Sequence, residues 1–227
     1  GRFVVLPGTL GQGVCRSARG DYNAAVQSFC YILDVEDKSP EVQEVQDRAL
    51  FFKGRAEVLW KRYVEAEESL TELIKKRRPK EPLRTEARLE LVKSQTERVR
   101  AMWQRAQNHL KTAEQQDKYA EDLRTGKVQP PQPKDANQKP VPVRQLIAEA
   151  RAKVGEQRFL AEELEDQYAP IAKDALKEAV AISRRGDWMS MEVAPLMPLL
   201  REVVGKEALS ALDRYAEAQQ LEKANKL

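Results

Sequence analysis

Residues 54–74 read GRAEVLWKRYVEAEESLTELI, and residues 13–33 read GVCRSARGDYNAAVQSFCYIL. Laid over each other, Gly13 falls on Gly54, Tyr22 on Tyr63, Ala25 on Ala66 and Phe29 on Leu70, each pair 41 residues apart. A fixed offset carrying the same residue types marks a helical repeat, a unit that covers its apolar face by stacking on its neighbours. Each position has a physical task. Glycine in the first helix of a pair admits the second helix closely, and alanine in the second meets it. The aromatic just past the turn and the later Phe or Leu fill the groove beside them.

This pattern resembles the tetratricopeptide repeat, over residues 9–79, about a third of the chain. The family places Gly early in helix A, an aromatic at the start of helix B, then Ala and a bulky apolar residue. Gly20-Asp21-Tyr22 matches its turn. The chain departs from the family at three points. Gln12 and Lys53 stand where a large apolar residue precedes the glycine, and Arg16 and Glu57 stand where the family has tyrosine. The period is 41 residues rather than the family's 34, with the extra length in the Asp34–Pro40 connection. The resemblance implies that helix A lines a concave groove, here with Leu10, Val14 and Ser17, then Phe51, Arg55 and Val58. The Lys and Asn that the family's chaperone-tail receptors use to clamp a carboxylate are absent from those positions. Phe51 and Phe52, side by side, point to an apolar partner or, for one of them, to the core. Phe51, Phe52, Arg55 and Val58 are the candidate partner-binding residues.

Composition agrees with a helical chain. Of 227 residues 33% are charged, 41% hydrophobic and only 6% aromatic, the balance of long solvated helices. No run of 18 apolar residues exists, so no helix is expected to span a membrane. The net charge of +3 is too weak to imply nucleic acid, and residues 1–142 (26 basic, 21 acidic) and 143–227 (13 basic, 15 acidic) are each near balance. The sequence starts at Gly1, so a processed product or part of a longer protein is expected. The compartment is open, with a lean toward the cytoplasm. Cys15 and Cys30 are expected as free thiols, because a disulfide needs an oxidising compartment and suitable geometry.

Taken in order, helices are expected over 9–18 and 22–34, with a third opened by Ser39 as N-cap and Pro40 at the first helical position. Pro79 and Pro82 stop the fourth after Lys75. From Arg84 to Thr125 neither proline nor glycine occurs. Val92, Val99, Met102, Ala106, Leu110, Ala113, Ala120 and Leu123 recur at gaps of mostly three or four, the seam of one amphipathic helix about 63 Å long. Gly126 ends it. Five prolines in residues 126–142 make a stiff linker, the expected site of first proteolytic nicking. A second long helix, 143–184, carries Ile147, Ala150, Val154, Ala161, Leu164, Tyr168, Ile171, Ala175, Ala179 and Ile182, with a kink expected at Pro170. Equal lengths and matching seams argue for an antiparallel hairpin whose partners sum to about 268 in residue number. An irregular stretch bounded by Pro195 and Pro198 and a last helix over Leu199–Ala224 complete the chain.

Chemistry-bearing motifs are few. Arg-Gly-Asp occurs at 19–21 and 185–187, in each case before an aromatic at an expected helix–helix turn, where Gly relaxes the backbone and Asp caps the next helix. Lys75-Lys76-Arg77-Arg78-Pro79-Lys80 reads either as solvated cations at a helix C-terminus or as a nuclear-import or anion-docking patch. His109 is the only histidine. No cluster has metal-ligand spacing, and no glycine-rich phosphate loop is present. Glu162, Glu163, Glu165 and Asp166 form a charge run of the kind that lies on a solvated helix face.

The expected architecture is all-α: tetratricopeptide-like repeats over 1–80, a long helix over 81–126, a Pro-rich linker over 127–142, and a long helix with a C-terminal helix over 143–227. The expected function is a non-enzymatic scaffold or adaptor that holds other proteins in a larger complex, with no cofactor, metal or nucleic acid. The alternative is a structural protein whose long helices pair with other copies of the chain.

Overall fold

The computed structural model describes residues 2–131 and 141–205. Every regular element among them is helical, and none is a strand: α1 Arg2–Ala18, α2 Tyr22–Leu33, α3 Pro40–Leu59, α4 Tyr63–Thr71, a π-helical turn Glu72–Arg77, α5 Leu83–Arg124, α6 Val143–Ser183 and α7 Trp188–Val193. A 3₁₀ turn, Ala194–Leu196, and a helical stretch over 197–205 follow α7. The described residues divide into two compact units, one of residues 2–98 and 171–205, the other of residues 99–131 and 141–170.

In the first unit α1 to α4 form two helix pairs with closely matching turns. Gly20 (φ +82°) and Lys61 (φ +63°) both take left-handed backbone, 41 residues apart. Around Gly20 the N–H donors of Arg19, Gly20, Asp21 and Ala25 bond to the carbonyls of Cys15, Ser17, Arg16 and Asp21. Around Lys61 the donors Trp60, Lys61, Arg62 and Ala66 bond to Ala56, Val58, Glu57 and Arg62, each shifted by 41. Lysine adopts the conformation that glycine takes more cheaply. Asp21 also caps α2 by accepting from Ala24 N at 3.3 Å, whereas Arg62 supplies no side-chain cap.

The cross-helix contacts correspond in the same way. A Cβ built on Gly13 would lie 2.5 Å from Phe29 Cε1, and one on Gly54 would lie 2.7 Å from Leu70 Cγ. Ala25 and Ala66 are both fully buried. One apolar cluster joins Leu6, Ala25, Phe29, Ile32, Val42, Ala49 and Ala56. A second joins Leu50, Phe51, Leu70, Leu73 and Ala87, so the start of α5 covers α3 and α4.

Three boundaries differ from expectation. The first helix begins at Arg2 rather than residue 9, because Leu6, with 5% of its surface exposed, extends by one turn the inward stripe of half-buried Leu10 and buried Gly13. Pro7 sits inside it, and Thr9 Oγ1 donates to the Val5 carbonyl at 3.0 Å. Ser39 precedes Pro40 at the start of α3, but its hydroxyl does not cap the helix. Asp37 Oδ1 instead accepts from Ser39 N at 2.8 Å and fixes the entry. The stretch bounded by Pro195 and Pro198 is helical rather than irregular, and α7 precedes it. Asp187 caps α7 through Met189 N at 3.1 Å, and Pro195 lies in the first positions of the 3₁₀ turn, where its missing N–H leaves no bond unmade.

Both Arg-Gly-Asp copies are turns of this kind, with Gly20 and Gly186 left-handed and Asp21 and Asp187 capping. Gly126 (φ +71°) follows the end of α5, and Lys127 N bonds back to the Asp122 carbonyl. Pro170 lies inside α6 without ending it. Of the expected α5 seam all but Leu110, 39% exposed, are buried. In α6 Ala150, Val154, Ala161, Tyr168, Ala175, Ala179 and Ile182 are buried, with Ala172 and Leu176 beside them. Linker residues 132–140, and the expected C-terminal helix beyond residue 205, lie outside the described residues.

Candidate protein-binding surface

The four candidate residues on α3 divide by burial. Phe51 is a core residue at 5% exposure. Phe52 is half-buried, edge-on to Phe51 at 5.3 Å between ring centroids and stacked on Phe29 at 6.3 Å. Arg55 is exposed, with its guanidinium 5.8 Å from the Phe51 ring centroid and 3.8 Å from the Glu90 carboxylate of α5. Val58 is half-buried, as are Leu10, Val14 and Ser17 on α1. Arg55 is therefore the exposed member of the set, with half-buried Phe52 and Val58 three residues before and after it on α3.

Side chains that departed from the family pattern carry the polar contacts between paired helices. Glu57 is 3% exposed and accepts from Lys53 Nζ at 2.7 Å and from the Ser69 hydroxyl at 2.8 Å, while Lys53 Nζ also reaches Ser69 Oγ at 2.7 Å. Forty-one residues earlier Arg16 Nη1 donates to Ser28 Oγ at 2.8 Å. A polar link therefore bridges the helices where the family has tyrosine. Its sequence signal was present in Ser28 and Ser69, which share the same offset. Gln46 has no such signal. It is buried on α3, and its amide donates to the carbonyls of Val35 (2.8 Å), Ile32 (3.3 Å) and Leu33 (3.4 Å), closing the C-terminal end of α2.

Glu67 on α4 pairs with Arg98 on α5 at 2.9 Å, and its Oε1 is buried with no hydrogen-bond partner among the described residues. Burial pushes its carboxyl above the usual range, against the pull of Arg98. A raised folded-state pKa means that the unfolded chain ionises first as pH rises. Stability is therefore lost between the ordinary value of 4.5 and the raised one. Glu67→Gln removes that titration. Urea midpoints across this range should shift in the variant's favour as pH rises, and a parent–variant difference that is flat with pH would overturn the assignment.

The basic segment is anchored at one residue. Arg77 donates to Gln46 Oε1 at 3.3 Å and pairs with Asp47 at 3.5 Å, whose carboxyl burial pushes upward. Arg78 stands left-handed (φ +50°), and Lys75, Lys76, Arg78 and Lys80 are exposed. Glu162, Glu163, Glu165 and Asp166 are likewise exposed on α6. His109 Nδ1 meets Gln157 Oε1 at 2.7 Å, a contact between α5 and α6 within the second unit. Cys15 is an exposed free thiol, and Cys30 a half-buried one whose pKa burial raises. Among the described residues no three His, Cys, Asp or Glu side chains are grouped to hold a metal ion, and no helix is long and apolar enough to cross a membrane.

Compared with known proteins, the chain matches no family model, no curated protein and no solved structure.

Proposed function

We propose that the protein is a non-enzymatic scaffold: two tetratricopeptide-like repeats, closed by the start of α5, followed by a long antiparallel hairpin of α5 and α6. The observation that carries the reading is the offset of 41, which runs through backbone conformation, turn hydrogen bonds and glycine-to-bulky contacts alike. Helix pairs stacked in this manner leave the face of their first helices available to other proteins. On α3 Arg55 is exposed, and Phe52 and Val58, at three-residue spacing on either side of it, are half-buried. For the hairpin, the support is register. Arg88 pairs with Glu178 and His109 with Gln157, residue numbers that each add to 266, and Arg185 donates to Thr85 at 3.0 Å, adding to 270. All three lie close to the expected 268. Buried alanines at 106, 113, 120, 150 and 161 suit close helix approach in the second unit.

Two experiments test this reading. Affinity capture with the intact protein and with Arg55→Ala/Val58→Ser, read by mass spectrometry, should return a partner set that the variant loses while keeping its melting temperature. Capture indifferent to the variant moves the binding face elsewhere. For the hairpin, His109→Cys/Gln157→Cys in a Cys15→Ser/Cys30→Ser background should crosslink within one chain. Failure to crosslink, with the two sites more than about 25 Å apart where packed axes need 8–10 Å, removes it.

A further inference from the structure

Ser39 is the only serine or threonine that precedes one of the 12 prolines of the chain. It ends the connection between α2 and α3, residues 34–39, which carries no regular element. Its backbone is extended (φ −61°, ψ 144°), the form that a following proline imposes. Proline-directed protein kinases read a Ser-Pro unit in extended backbone, because proline leaves no N–H unsatisfied in the pocket that receives it.

The Ser39 hydroxyl does not cap α3, and its oxygen is buried without a hydrogen-bond partner among the described residues. Asp37 accepts from Ser39 N at 2.8 Å, and this N–H, with the hydroxyl close by, holds its carboxyl below the usual range. Two glutamines of α3 complete the latch. Gln43 Nε2 donates to the Lys38 carbonyl at 2.9 Å, and Gln46 Nε2 to the Val35 carbonyl at 2.8 Å. Side chains thus hold the connection, and Glu36, Asp37, Lys38, Pro40 and Glu41 around the serine are exposed. Opening a segment held in this way costs far less than unfolding a helix pair.

A phosphate on Ser39 does not fit the closed connection. The cleft beside it has three carboxylates, Glu36, Asp37 and Asp47, against three cations, Lys38, Lys76 and Arg77. A phosphoserine carries nearly two negative charges at pH 7 and ends that balance. Placing it where the hydroxyl oxygen lies would strip an anion of water with no hydrogen-bond partner there. The positive end of α3 attracts it from outside, but Asp37 already occupies Ser39 N, and like charge drives the two apart.

We propose that Ser39 is a phosphorylation site for a proline-directed kinase, and that the phosphate releases the Asp37 latch on the α2–α3 connection. In the transfer Ser39 Oγ attacks the γ-phosphorus of a nucleoside triphosphate. The Oγ–P bond forms, the bond from phosphorus to the β-bridging oxygen breaks, the hydroxyl proton passes to the kinase's base, and the nucleoside diphosphate leaves. No binding partner is involved, so this site stands or falls apart from the scaffold reading.

The full chain, incubated with a purified proline-directed serine kinase and ATP, should take up one phosphate, placed at Ser39 by fragment mass spectrometry. Ser39→Ala and, separately, Pro40→Ala should abolish it while melting curves stay unchanged. Asp37→Ala undoes the latch and should speed phosphorylation at least about threefold. A synthetic peptide of residues 34–44, which has no latch, should show no such gain from the same change. In the phosphorylated chain the Ser39 and Gln43 amides, bonded to Asp37 and to the Ser39 carbonyl, should exchange at least about fivefold faster. Amides in the middle of α3 should not change. A chain that stays unmodified under conditions that phosphorylate the peptide overturns the proposal, as does phosphate on neither. So does an Asp37→Ala rate equal to the parent's, or exchange that is unchanged or slower, since the phosphate then caps α3 in place.

Discussion

Replacing Lys53 with methionine is expected to destabilise the protein by about 3 kcal/mol, the largest single effect of any change outside the apolar core. The Glu57 side chain is 4% exposed, and Lys53 is its ionic partner at 2.7 Å. Removing the ammonium leaves a buried carboxylate with the Ser69 hydroxyl, which cannot neutralise it. The cost is thus the desolvation of an unpaired charge rather than the worth of the pair. The double variant Lys53→Met/Glu57→Leu should for that reason recover more than half of the loss, because a packed apolar pair can replace a buried ionic one at little cost. Urea unfolding with unchanged m-values would measure both. The corresponding change in the first helix pair, Arg16→Met, should cost no more than about 1 kcal/mol, because Arg16 is exposed and Ser28 is neutral. If Lys53→Met falls within about 0.5 kcal/mol of the parent, the Glu57 site is wetter than its burial indicates.

Why the sequence revealed some of these features and hid others follows from what each depends on. Long amphipathic helices were legible because a three- and four-residue period over forty residues has no other use. Gly20, Gly126 and Gly186 were legible as turns because left-handed backbone favours glycine, and all three take it. The Lys61–Tyr63 turn was legible only through the 41-residue offset, since no glycine marks it and Lys61 itself takes the left-handed conformation. The first turns of α1 were hidden. Pro7 and Gly8 argue locally for loop, and only burial of Leu6 against the first cluster overrides them. At the candidate surface, adjacency of Phe51 and Phe52 could not say which ring faces inward, because successive helical residues differ by only about 100° and both positions border the same groove. The polar link at Arg16 and Glu57 read as a departure from the family pattern. Its partners, Ser28 and Ser69, lie on the other helix, and a contact across helices leaves no periodicity within either one.

Gly54→Val should destabilise the protein by about 2 kcal/mol, against the direction that helix propensity alone predicts. Glycine inside a helix costs 0.5–1 kcal/mol relative to alanine, so a side chain there would ordinarily help. At Gly54 a Cβ would sit 2.7 Å from Leu70 Cγ and 2.9 Å from its Cδ2, and Leu70 is fully buried. Overpacking of about 1–3 kcal/mol therefore exceeds the propensity gain. Gly13 has the same conflict with Phe29. Gly8 and Gly11, on the same helix as Gly13, have nothing within 4 Å of an added Cβ, so Gly8→Ala and Gly11→Ala should raise stability by about 0.5–1 kcal/mol each. Opposite signs for glycines two residues apart would trace the effect to cross-helix contact rather than to backbone freedom. The partner can be checked by a double-mutant cycle. Leu70→Ala alone opens a cavity and should cost about 2–5 kcal/mol, yet Gly54→Val/Leu70→Ala should cost less than the two singles combined, because valine fills the space that leucine vacates. Strict additivity, or a stabilised Gly54→Val, would mean that α3 and α4 do not meet at these residues, and the correspondence with Gly13 and Phe29 would lose its physical basis.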